Sequence, residues 1–246
     1  MRTVTSSALT AVVALLCGPR VGAQTYGEPL TAMPRELEIK YALSALPPHL
    51  RDGAAVYVLD LAKGYVLARR GTNGFSCFVA RTEYSRAHFG NNLFIPVGYD
   101  AEGSKSYLPV YFDVARLRIE GKISPEDLKS RVETGLRDGT YHSPTRSGVA
   151  YMLAPIITAY HGPGSREVMT VVMPHVMFYA PNLTTADFGG GPLRGIYPYM
   201  FDQGPLGYMI VNLGATETAE LVKQSAGLMG ELCAFRPDLC VGHKQH

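Results

Sequence analysis

The segment Ala54-Ala55-Val56-Tyr57-Val58-Leu59, followed by Tyr65-Val66-Leu67-Ala68-Arg69 and Phe75-Ser76-Cys77-Phe78-Val79-Ala80-Arg81, decides the fold class. All three runs are short and rich in β-branched and aromatic residues, so they read as strands. Asn73-Gly74 lies between the second and third runs. Both positions tolerate positive φ, which predicts a tight hairpin there and an N-terminal meander. In the third run Phe75, Cys77 and Val79 share one face, while Ser76, Phe78 and Ala80 share the other. Both faces are mostly apolar, so this strand is expected to be covered on both sides.

Working outward, Pro34–Leu46 reads as a helix. Proline suits a first turn, and Ile39, Leu43 and Leu46 fall at i, i+4 and i+7. Pro47-Pro48 stops it. Residues 84–106 read as irregular. Val110–Glu120 carries a stripe of Val110, Val114 and Leu117, with Arg116 and Glu120 paired at i, i+4. Ser124-Pro125-Glu126-Asp127 is a helix start, with serine as cap and acids at the positive end, and that helix runs to about Arg137. Gly148–Leu153, Glu167–Tyr179 and Gly207–Leu213 read as strands. Residues 187–207 read as a long loop. Thr216 to about Phe235 reads as one helix with Val222, Ala226, Met229 and Cys233 on a single face. Strands must pair and helices must bury a stripe. The expected architecture is therefore α+β, a mainly antiparallel sheet with helices packed on it, in one globular domain over residues 24–246.

Residues 1–23 have the layout of a signal peptide: Arg2, an apolar run from Ala8 to Leu16, and Val21-Gly22-Ala23 before a cleavage point. The apolar run is about half the roughly 20 residues a spanning helix needs. An exported location, periplasmic or extracellular, is expected. The whole chain carries a formal charge of +2, with 23 Lys and Arg against 21 Asp and Glu. Arg2 and Arg20 leave with the signal, so the mature chain is neutral. That balance argues against nucleic acid as a partner. Hydrophobic content of 46% with 18% charged residues excludes an intrinsically disordered chain.

Beyond the signal there are three cysteines, Cys77, Cys233 and Cys240. In an oxidising compartment one disulfide is expected. Cys233 and Cys240 bracket a short loop in which Pro237 turns the chain, so they are the favoured pair. Cys77 is left as a buried thiol.

The stretch Arg69-Arg70-Gly71-Thr72-Asn73-Gly74-Phe75-Ser76-Cys77 resembles a group of uncharacterised exported bacterial proteins with a Gly-Thr-Asn-Gly-aromatic-(Ser/Thr)-Cys run at a hairpin tip. Met173–Pro181 and Gly207–Val211 are similar to the same group. No activity is attached to it, so the resemblance implies an exported globular domain and no catalytic residue.

The sequence lacks a Gly-x-Ser-x-Gly elbow and a His-Glu-x-x-His pair. Four candidate sites remain. Met173, His175 and Met177 alternate at strand period and would suit a soft ion such as copper. Asp100, Glu102 and Ser104 alternate around a glycine and would suit calcium. His88, His142, His161 or His175 with Asp100, Asp113 or Asp187 would make an acid–base pair. Tyr179, Tyr197, Tyr199 and Tyr208 make a region rich in amphipathic rings, suited to a small-ligand pocket. A structural reading stands beside each: core methionines, a solvated turn, scattered surface histidines, and an ordinary aromatic core. The leading functional expectation is a non-catalytic small-ligand-binding or interaction module with no membrane span. The alternative is a secreted hydrolase or metal-assisted enzyme, so whether the protein is an enzyme stays open.

Overall fold

The computed structural model describes residues 29–84, 88–90, 93–161, 165–189 and 197–241. The expected signal, residues 1–23, lies outside them. The elements in chain order are α1 (Arg35–Ser44), α2 (Pro48–Arg51), β1 (Ala55–Asp60), β2 (Gly64–Arg69), β3 (Ser76–Ala80), β4 (Ile95–Tyr99), α3 (Ala101–Ser106), α4 (Leu108–Ile119), α5 (Pro125–Asp138), β5 (Val149–Met152), β6 (Ile157–Tyr160), β7 (Val168–Val171), β8 (His175–Tyr179), β9 (Tyr199–Asp202), β10 (Tyr208–Asn212), α6 (Ala215–Gln224) and α7 (Ala226–Phe235). Short 3-10 turns occupy Thr185–Phe188 and Pro237–Leu239. Eight strands form one sheet in the order β2-β1-β3-β4-β5-β8-β10-β9, and β6 and β7 form a separate pair. The α+β class with a mainly antiparallel sheet and packed helices is the architecture observed.

The N-terminal meander is not. β2 pairs with β1 antiparallel, and β3 pairs with β1 in parallel, so β1 lies between them. Asn73-Gly74 is therefore a crossover past the first strand and not a hairpin tip. The chain passes so close over the start of β1 that a Cβ on Gly71 would overlap the Ala55 amide nitrogen. Hydrogen bonds fix the crossing. Thr72 and Asn73 donate to the Gly53 carbonyl, Ala55 donates to Phe75, and Asn73 Nδ2 donates to Leu50 at 2.8 Å. The Asn73 side chain also accepts from the Phe75 amide at 3.0 Å, and Gly74 takes φ +81°. The turn chemistry was legible; that the two strands it joins are not neighbours in the sheet was a tertiary matter.

β3 is buried along its whole length. On one face Phe78 meets Phe112 and Tyr111 of α4, where Tyr57 and Tyr65 also pack on Phe112. On the other face Cys77 lies near Leu46, beyond the end of α1, because a side chain at Gly98 would strike both. Cys77 is the buried free thiol expected, and burial pushes it up to about 12. α7 packs beside α1 with a Lys40–Glu231 pair, and its Phe235 meets Phe94, just before β4, edge-on. The expected Cys233–Cys240 disulfide ties α7 to the following turn.

Several boundaries differ from expectation. Residues 84–106 contain β4 and α3, whose cap Asp100 accepts from the Gly103 amide at 2.8 Å. The segment 167–179 is two strands in two sheets, broken at Pro174, which has no amide hydrogen for a ladder. The 216–235 helix breaks at Ser225, where φ is −99° and ψ 8°. Residues 185–207 include a 3-10 turn and β9. The start at Ser124 is as read: its hydroxyl accepts from the Asp127 amide, and Gly139 closes α5 in the left-handed region.

Two buried titratable groups, Glu38 and His175, make opposing contributions to the pH response of this fold. Glu38 accepts from the Leu59 amide at 3.0 Å and is pushed up to about 7 by burial, against that hydrogen bond and the charges of Arg81 and Arg35. His175 is pushed down to about 4 by burial, against its hydrogen bond to the Met173 carbonyl. A raised carboxyl loses stability for the fold as pH climbs from about 4.5 to 7. A depressed imidazole adds stability over the climb from 4 to 6.5, as the unfolded chain gives up its proton. The two oppose each other between pH 4.5 and 6.5. In Glu38→Gln only the rising contribution survives, so stability measured by denaturant unfolding increases across that interval by at most roughly 3 kcal/mol more than in the wild type. Parallel pH profiles for the two proteins would refute this. Separately, Gly71→Ala should cost about 3 kcal/mol by steric overlap, read as a lowered Tm.

Candidate functional site

Tyr179 is core. Its hydroxyl lies 3.0 Å from Asp100 Oδ1 and 2.9 Å from the Val149 carbonyl, either of which accepts its proton. Its ring fills the space that side chains at Gly103 and Gly148 would need. Asp100 also accepts from the Val149 amide at 2.9 Å, so one carboxylate joins β4, α3, β5 and β8. Tyr199 is buried, Tyr197 is 72% exposed, and Tyr208 is half-buried with Phe201 stacked on it at 5.8 Å. Tyr179 and Tyr208 are cross-strand partners in β8 and β10.

Rings from other elements pack on one another and on Tyr179. Tyr99 stacks on Tyr107 at 4.9 Å, Tyr107 tilts against Tyr179 at 5.2 Å, and Tyr84 meets Tyr111 edge-on at 5.5 Å. Burial, with Asp202, Tyr111, Tyr84 and Glu83 adding to it, holds the Tyr208 hydroxyl well above the usual phenol range. These hydroxyls stay protonated and act as hydrogen-bonding groups. The buried Tyr84 hydroxyl has no hydrogen-bond partner among the described residues.

The metal candidates have structural placements. His175 and Met177 share a face of β8 and are buried, while Met173 precedes the strand. The His175 Nδ1 hydrogen goes to the Met173 carbonyl at 2.7 Å. In the calcium candidate, Asp100 is a helix cap, Glu102 accepts from Thr145 and faces Arg146, and Ser104 turns to the Tyr99 carbonyl. No group of three His, Cys, Asp or Glu able to hold a metal occurs among the described residues.

The acid–base candidates are also dispersed. His88 contacts the Tyr160 hydroxyl at 2.9 Å, and His142 and His161 are exposed. Asp113 holds Arg131, Arg116 and Tyr141 around α4 and α5. Asp187 caps the 3-10 turn with Thr184.

A cleft of about 530 Å³ lies elsewhere, between α2 and α6. Pro48, Leu153 and Leu221 line it with apolar surface, and Arg51, Thr216, Glu217, Glu220, Gln224 and Ser225 add polar groups. Ser225, where α6 ends, is among the lining residues. α6 is amphipathic yet has no buried residue. Arg51 is half-buried, and its Nε donates to the Leu46 carbonyl at 2.8 Å. It forms no ion pair among the described residues, and burial lowers its proton affinity. Glu220 accepts from the Gln224 amide at 2.8 Å. Glu217 folds back over Gly214 at the positive end of α6.

These residues escaped the sequence reading. Arg51 follows a Pro-Pro stop with nothing to distinguish it from a surface arginine. Only the folded chain brings it opposite α6.

No family model, curated protein or solved structure matches this chain.

Two substitutions separate packing from spare polar capacity. Asp100→Ala leaves the Gly103 and Val149 amides without their acceptor and should cost at least about 2 kcal/mol in chemical denaturation. Tyr84→Phe removes a buried hydroxyl that has no partner among the described residues, so it should leave Tm unchanged or raise stability by about 1 kcal/mol.

Proposed function

We propose that this protein is a non-catalytic small-ligand-binding module that works outside the cytoplasm, with the α2–α6 cleft as its site. The carrying observation is Arg51: a half-buried guanidinium without an ion pair among the described residues, on the wall of a cleft whose volume lies within the range of small-molecule sites. A cation partly withdrawn from water gains most from a partner delivered by a ligand. The apolar lining supplies contact area, and the polar groups supply donors and acceptors that fix orientation. The export signal and the Cys233–Cys240 disulfide support the oxidising location. Among the described residues no helix is long and apolar enough to cross a membrane. A hydrolase would need an imidazole addressed by an acid in a cleft; His175 is instead turned to a backbone carbonyl.

Amide shift mapping on isotope-labelled protein tests the reading, with glucose, citrate, choline and leucine each added at millimolar concentration. At least one compound is expected to move Arg51, Leu153 and residues 216–225 as a group. If every compound leaves that group unmoved, the cleft is not a binding site.

A further inference from the structure

We infer that the cleft takes a zwitterion with an apolar side chain: a free amino acid or a short peptide with both ends unblocked. This rests on the binding-module reading above. The cleft wall carries charges of both signs that do not neutralise each other. Arg51 stands on the α2 side; Glu217 and Glu220 stand on the α6 side. No ion pair forms between them, and the groups that weigh on Arg51 include no carboxylate. Arg51 and the two glutamates therefore line the same cleft of about 530 Å³ without pairing with one another.

A ligand with one charge would satisfy one wall and meet the other unfavourably. A ligand with a carboxylate and an ammonium at opposite ends satisfies both. Arg51 offers its terminal nitrogens to the carboxylate, its Nε being committed to Leu46. Glu220 accepts one hydrogen bond from Gln224 and Glu217 lies at the start of α6, but as carboxylates both keep acceptor capacity that suits an ammonium. Pro48, Leu153 and Leu221 give the cleft its apolar lining and suit an aliphatic side chain. The volume admits more than a single residue, so a dipeptide fits the same chemistry.

Calorimetric titration of the purified full chain with four probes tests this: leucine, leucyl-leucine, N-acetyl-leucyl-leucine and leucyl-leucine amide. The unblocked dipeptide or the free amino acid should bind at least tenfold more tightly than either blocked form, and whichever is tighter names the source. Arg51→Gln should weaken the zwitterion at least tenfold while leaving the weak binding of the amide unchanged. The double variant Glu217→Gln/Glu220→Gln should weaken the zwitterion and leave the acetylated form unchanged. The two glutamates are exposed on α6, so that variant keeps the fold even if Arg51→Gln does not.

Blocked forms binding within threefold of the free dipeptide would overturn the inference, as would silence from all four probes. If glucose, citrate or choline still maps to the cleft by amide shifts, only the zwitterion assignment fails. If nothing maps there, the binding-module reading fails with it.

Discussion

The crossover at Gly71–Phe75 is the constraint on which the rest depends. It carries the chain from the sheet edge, past the start of β1, to the strand position on the other side. That makes β1 an interior strand and lets β3 lie beside it in parallel. Two peptide hydrogen bonds onto the Gly53 carbonyl and one from Asn73 to Leu50 lock the crossing against the end of α2. Arg69 adds to the same junction by donating to the carbonyls of Ala54 and Arg51. The backbone bearing Arg51 is thus pinned by the topology of the sheet, and its side chain is left to face the cleft. Sheet order and the proposed site are linked through these few backbone bonds.

The second organising group is Asp100. One carboxylate caps α3, takes the Val149 amide and meets the Tyr179 hydroxyl, so it holds the middle of the sheet to the helices on the tyrosine side. Gly103 and Gly148 are bare because the Tyr179 ring occupies their side-chain space. What looks in sequence like a loop with calcium-type spacing is a helix cap serving a buried phenol. The aromatic richness of this half of the chain is spent largely on packing, where each ring buries a large apolar face and keeps its hydroxyl protonated.

The opposite end of the structure behaves differently. α6 has no buried residue, although one of its faces is apolar, and the helix breaks at Ser225 before α7 packs on the body through Leu232 and Phe235. A helix with that pattern and no buried side chain leaves a gap beneath it. Charges of both signs line the gap without meeting. Such an arrangement costs stability when the cleft holds only water, and it suits a wall that completes its pairing with a bound molecule.

Local signals in the sequence determined a good deal. The Ser124 cap, the Pro47-Pro48 stop, the apolar strand of Ser76–Ala80 and the Cys233–Cys240 pairing follow from chemistry acting over a few residues, and the α+β class follows from those elements together. The tertiary structure alone decided which strands are neighbours, that Pro174 divides one apolar run between two sheets, and that Tyr179 serves Asp100. It alone placed Arg51 across from Glu217 and Glu220. The physical reason is range: a cap or a turn is settled by backbone groups within four residues, whereas strand order and clefts arise when distant segments compete to bury surface, and no short stretch records the winner.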